Sequence, residues 1–261
     1  MKSLTTAATG MFAQQINIDV IANNIANVTT TGFKRSRSEF ADLLYQDLRR
    51  VGTQSSDTAT IVPAGVQVGV GVKPVAVYRI NEQGSLVPTD NPLDVAIKGR
   101  GYFQVTLPDG TTAYTRDGTF RLSSDGTIVT ADGFNIVPNI TVPNNADDIT
   151  INANGQVEVT IQGQVAPVLL GQIQLATFIN DAGLQQTGDN LLLETEASGG
   201  PTTGNPGAVG FGSLQQNFLE QSNVNMVSEM TDLIAAQRAY EINSKVIQAS
   251  DDMLATVSNI R

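Results

Sequence analysis

Residues 4–28, LTTAATGMFAQQINIDVIANNIANV, decide the fold. Leu4, Ala8, Met11, Gln15, Ile18, Ala22 and Ile25 recur at alternating spacings of four and three. Six of these seven are apolar, the a/d pattern of a helix that lays a seam on another helix. The spacing predicts a helix over about the first thirty residues. Ser3 is its expected N-cap, and Gly32 its expected left-handed C-terminal residue. Asn17, Asn23, Asn24 and Asn27 run against this pattern, because asparagine competes for backbone groups and forms helices poorly. They flank the stripe of Ile18, Ile21, Ile25 and Val28. Polar groups beside a seam fix register at a cost in stability, so the asparagines are read as register-setting.

The C-terminal forty residues repeat the arrangement. Met226, Met230, Leu233, Gln237, Tyr240, Ser244, Ile247 and Leu254 follow the same spacing. Ser222 to Asn225 offer capping side chains, and Glu229 and Asp232 fall early, where the helix dipole favours acids. Each helix is expected to run about 30 residues, or about 45 Å. Between them the period drops to two. The stretches VQVGVGVKPVAVYRI (66–80), LDVAIKGRGYFQVTL (93–107) and DITINANGQVEVTI (148–161) read as strands. Asp-Gly turns are expected at 109–110, 117–118, 125–126 and 132–133, and an Asn-Gly turn at 154–155. The predicted class is α+β: long terminal α-helices with a mainly β domain inserted between them. Each helix has one apolar stripe and cannot bury it alone. The two are expected to pair, and the pair to pack on copies of itself.

Composition removes most chemistry. The 261 residues contain no Cys, His or Trp. Disulfides, thiolate chemistry, Ser-His-Asp catalysis and the usual zinc sites are therefore excluded. Residues 92–204 hold four Lys/Arg against twelve Asp/Glu, a net of -8. An acidic middle argues against nucleic-acid binding, which wants a basic face. It suits a solvated surface that resists nonspecific contact. No run of 18 apolar residues occurs, and the N-terminus lacks the apolar core of an ordinary secretory signal.

The remaining motifs read as structure. The Asp-Gly series lacks the Gly-Gly-x-Gly-x-Asp lines of a calcium β-roll and is taken as hairpin turns. Glu194 and Glu196 are read as solvated surface. Lys34, Arg35 and Arg37 form a basic cluster, expected to neutralise acids on adjacent subunits. No catalytic, cofactor-binding or metal-ligating residue is singled out, and no cofactor is expected.

Two longer stretches carry a resemblance. ATGMFAQQINIDVIANNIANVTTTGFKRSRSEFADLLYQ (8–46) resembles the N-terminal signature of flagellar rod and hook proteins, and LEQSNVNMVSEMTDLIAAQRAYEINSKVIQASDDML (219–254) resembles their C-terminal signature. NPLDVAIKGRGYFQV (91–105) and YTRDGTF (114–120) resemble the start of the family's β domain. DLLYQDLRRVGTQSSDTATIVPAGVQVGVGV (42–72) is similar to a segment of its distal-rod members. Proximal rod and hook stand as the alternatives.

The resemblance implies a coiled-coil inner domain of residues 1–33 and 224–261 around a channel. It implies a linking region of 34–91 and 205–223, and an outward β domain of 92–204. It implies a helical homopolymer that forms a rigid hollow shaft, transmits torque and passes export substrates. The implied partners are further copies, other rod proteins and hook protein, the surrounding L/P ring bushing and the flagellar type III export apparatus. The implied location is the basal body, in the distal rod crossing the periplasm, reached without a cleaved signal peptide. The expected assembly residues are Leu4, Met11, Ile18, Ile21, Asn23, Asn24, Ile25, Asn27, Val28, Met230, Leu233, Gln237, Tyr240, Ile247 and Leu254. Asn23, Asn24 and Asn27 are expected to bond neighbouring subunits or to line the channel.

Overall fold

The computed structural model describes residues 2–49, 64–162 and 166–259. The chain divides into two units. One comprises Met1–Ile25, Ser36–Tyr78 and Asn225–Arg261, and the other Ala26–Arg35 and Arg79–Val224. The helices and β-strands are those of an α+β chain, with helices at both ends and strands between. Residues 36–78 belong with the helices, and 79–91 and 205–224 with the β unit.

In the helical unit, α1 runs Lys2–Ala26 and α2 runs Met226–Asn259. The first is under way by Lys2, so Ser3 lies inside it and does not cap it. The second is capped by Asn225, whose Oδ1 accepts from the amides of Val227 and Ser228 at 3.1 and 3.3 Å. Strand Ser36–Asp42 pairs with Val72–Arg79, and Tyr45–Arg49 pairs antiparallel with Val66–Gly69. Residues 50–63, between the latter two strands in sequence, lie outside the described residues.

The β unit is built on Tyr102–Thr106. Thr112–Thr115 pairs along one edge of this strand. Leu175–Thr177 and Asn135–Ile136 share the other edge. Strands Ala146–Ile151, Gln156–Ile161 and Val168–Gln172 make a separate three-stranded antiparallel sheet. Alternation sorts the central strand's side chains. Phe103 and Val105 enter a core with Phe120, Val157, Val159 and Leu175. Tyr102 joins Tyr114, Phe178 and Leu192 in a second cluster. Phe103 and Phe120 meet edge to face, centroids 4.9 Å apart, and burying each such ring contributes roughly 1.5–3 kcal/mol.

Gly110, Gly126, Gly133 and Gly155 all take positive φ, as tight Asx-Gly turns require. Asp117-Gly118 differs from the expected hairpin. Gly118 has no positive φ, and its backbone accepts from the Val95 amide at 3.0 Å. A Cβ there would collide with the Val95 carbonyl, so this glycine serves close packing rather than a turn.

Candidate functional site

Within the helical unit, α1 and α2 pair antiparallel along a small and polar stripe. Asn24 Nδ2 donates to Glu229 Oε2 at 3.1 Å. Gly10 lies so close to Asn243 that an added Cβ would stand 3.0 Å from its amide nitrogen. Ser250 Oγ donates to Ser3 Oγ at 3.4 Å. The steps match on both helices: two heptads from Asn24 to Gly10 and from Glu229 to Asn243, then one heptad to Ser3 and to Ser250. Ala7, Ile21 and Ala236, all buried, fall on the same two stripes.

This stripe lies one residue before the seam read from the apolar spacing on α1. Ala8, Gln15 and Ala22 are exposed, while Leu4, Met11, Ile18 and Ile25 are half-buried. On α2, Leu233 and Ile247 are half-buried. Met230 is 52% exposed, and Gln237, Tyr240 and Leu254 are also exposed. Val28 lies beyond the end of α1 and is half-buried.

The asparagines separate by role. Asn24 is 1% exposed. Its Oδ1 accepts from Ser36 N at 2.8 Å, and its Nδ2 donates to Ser36 O at 2.9 Å as well as to Glu229. The amide thus replaces a strand partner for Ser36. These three bonds all lie within the chain. Asn17 Oδ1 accepts from Ser38 Oγ at 2.8 Å, and Asn27 Oδ1 from Thr30 Oγ1 at 3.1 Å. Asn23 is exposed on α1.

The β unit holds a second constellation, around Glu220. Lys34 Nζ lies 2.5 Å from Glu220 Oε1 and donates to the Glu82 carbonyl at 2.7 Å. Gly84 N also donates to Oε1, at 2.9 Å. Arg116 Nε stands 3.2 Å from Oε2, an ion pair without hydrogen-bond alignment. The Arg116 guanidinium donates onward to the carbonyls of Gly101 and Gly99. All three charged residues are buried. Burial pushes the Lys34 ammonium below the ordinary lysine range; Glu220 opposes this, and the Arg116 and Arg79 charges add to it. Lys34 is therefore an interior ion and not the surface charge expected from its basic cluster.

Gly32 belongs to the same corner. It does not end α1, which stops at Ala26. Its φ of +68° lets its amide reach the Glu220 carbonyl at 2.8 Å. Thr31 Oγ1 donates to Asp117 Oδ1 at 3.0 Å. Residues 31–34 are thereby threaded into the β unit. No sequence signal singled out Glu220 or Arg116; their partners are distant in the chain.

Among the described residues no group of acids could hold a metal ion, and no helix is long and apolar enough to cross a membrane. Both terminal helices leave apolar side chains outward, Phe12 on α1 and Val227 and Ile242 on α2 among them. Three family models match: flagella basal body rod protein over residues 4–34, the flagellar hook protein FlgE/F/G D1 domain over 96–159, and the flagellar basal body rod FlgEFG protein C-terminal region over 215–260. The flagellar basal-body rod protein FlgG of Caulobacter vibrioides is 58% identical over 261 residues, all of both chains. That of Borreliella burgdorferi is 50% identical, covering 100% of this chain and 99% of its own. That of Bacillus subtilis is 38% identical with the same coverage. The chain belongs to the FlgG family of flagellar basal-body rod proteins. It is a structural subunit of the distal rod, located in the flagellar basal body, and assembles with other rod and hook components.

Proposed function

We propose that copies of this chain stack helically into a rigid hollow shaft that transmits torque and passes export substrates through its bore. The terminal segments 1–33 and 224–261 form the innermost layer of that shaft, and 34–91 with 205–223 its linking layer. Residues 92–204 face outward toward the L/P ring bushing, where an acidic, solvated surface permits rotation. The subunit reaches its place through the flagellar type III export apparatus without a cleaved signal. It performs no catalysis.

One observation carries the assembly reading. Met226, Val227, Met230, Ile234, Tyr240, Ile242 and Met253 are all exposed on α2. Met226, Val227, Met230 and Ile234 fall within about a third of a turn of one another around the helix axis, and an exposed apolar face of this kind marks an interaction surface. The expected partners for it are the half-buried Leu4, Met11, Ile18 and Ile25 rows of other copies. Electron microscopy of the purified full chain tests the reading. Straight hollow filaments are expected from the wild type and none from Met230→Asp. The side chain of Met230 is half in solvent, so the variant's monomer should melt within about 0.5 kcal/mol of wild type. Filaments of unchanged yield from Met230→Asp would refute the stacking surface.

A further inference from the structure

The β unit has an open groove of about 460 Å³ walled by Lys98, Arg100, Gly210, Phe211 and Ser213 among others. Lys98 is exposed. The Arg100 side chain is 68% exposed, 3.7 Å from Asp181 and within 3.4 Å of the Phe178 carbonyl, with most of its donors outward. These two are half of the four Lys/Arg in residues 92–204, against twelve acids. A third, Arg116, is buried on Glu220.

Beside the groove, the turn at 205–212 is pinned by three backbone bonds. Ala208 N donates to Asn205 O, Phe211 N to Ala208 O, and Gly207 N to Gly212 O, at 3.2, 3.0 and 2.9 Å. Gly207 and Gly210 hold positive φ, and the turn lifts Val209 wholly into solvent. A braced apolar knob beside two cations, on an otherwise acidic surface, fits a partner that is itself acidic with apolar patches.

We propose that this groove and Val209 dock the acidic β unit of the next copy of this chain. The proposal rests on the reading that copies stack helically. Surfaces with a net of -8 repel one another when brought together, and a cationic notch offsets that repulsion locally. Groove-to-groove pairing about a two-fold axis would set Lys98 and Arg100 against themselves. The contact is therefore heterologous, with cations on one copy and carboxylates on the next, and such contacts propagate as open helical polymers. Asp147 and Asp148, adjacent on their edge strand, and Glu194 and Glu196 are exposed carboxylates of the right kind.

Carbodiimide cross-linking joins a lysine amine to a carboxylate only across a direct contact. Polymers of the full chain, assembled from an equal mixture of ¹⁴N and ¹⁵N subunits, should yield mixed-isotope peptides linking Lys98 to an acid within residues 92–204. The double variant Lys98→Glu, Arg100→Glu should keep the monomer's circular dichroism. It should raise the subunit concentration needed for assembly about tenfold at low salt, with less difference at high salt. Wild-type polymers in which Lys98 links only within its own copy, or assembly of the double variant with the wild-type salt profile, would overturn the proposal alone. Absence of wild-type polymer would overturn the stacking reading and this docking with it.

Discussion

Asn24 and Glu229 meet across the two terminal helices. The Asn24 amide donates to the Glu229 carboxylate at 3.1 Å, and both residues are buried. The same amide holds Ser36 through two further bonds, so one side chain fixes a helix and a strand to α1.

Asn24→Ala removes all three bonds and leaves a buried carboxylate short of a donor. A cost of about 2–4 kcal/mol is expected, since hydrogen bonds to charged groups are the strong ones. The change should appear as faster hydrogen exchange along α1 and α2 and at the Ser36 amide, with the amides of the β unit unaffected. Unaltered helix protection would show that the contact does not hold the pair.

Glu220→Leu leaves Lys34 and Arg116 buried without their counter-ion. The expected loss is about 3–5 kcal/mol in urea unfolding followed by tyrosine fluorescence, the chain having no Trp. The double variant Lys34→Met, Glu220→Leu should recover part of this, because the apolar pair needs no compensation. No recovery would mean that the lost bonds to Gly84 and Arg116 matter more than the lysine.

Gly32→Ala forces a Cβ to within 2.8 Å of Asp117 N and 2.9 Å of the Arg116 carbonyl carbon, at a φ of +68°. Backbone atoms cannot yield as a side-chain tip can. Destabilisation of about 2 kcal/mol or more is expected by the same urea assay. An Ala variant as stable as wild type would show that residues 31–34 are not held against Arg116 and Asp117.

Tyr102 gives a pH dependence. Its phenol is pushed up to about 12, first by burial and then by the nearby Asp181 charge, with Arg79 opposing. An acid whose folded pKa is raised stabilises the fold fully below its unfolded value of 10.0. That stability is lost as pH climbs toward the folded value. The β unit should lose about 2–3 kcal/mol between pH 10 and 12 from this group. Tyr102→Phe should flatten that part of the profile. Parallel profiles for the two proteins would assign the alkaline loss to other groups.

The helices, the inserted strands and most hairpin turns were legible because they rest on local periodicity and Asx-Gly chemistry. The seam register was not. The strongest apolar spacing runs through Leu4, Met11, Ile18 and Ile25, yet the helices of one chain meet on Ser3, Ala7, Gly10 and Asn24. Small residues allow close approach and polar ones fix register, and neither raises an apolar count. Ala7 and Gly10 at seam spacing were the available signal. Glu220 was illegible for another reason. Its partner Lys34 is 186 residues away, and spacing arguments reach only a few turns. Lys34 beside Arg35 and Arg37 looked like surface charge, and only long-range pairing shows otherwise.

The Lys34–Glu220 contact has a consequence for the order in which the molecule forms. Closing a flexible loop carries an entropy cost that grows with the logarithm of its length. Without the β unit, α1 and α2 would search for each other across a loop of nearly two hundred residues. With Lys34 on Glu220, only short leashes run back to Ala26 and on to Met226. Reducing the free loop to about fifteen residues lowers the closure cost by about 2 kcal/mol. The folded β unit thus raises the effective concentration of one helix for the other. A subunit arriving as an unfolded chain would then gather its own two ends before it meets the ends of another.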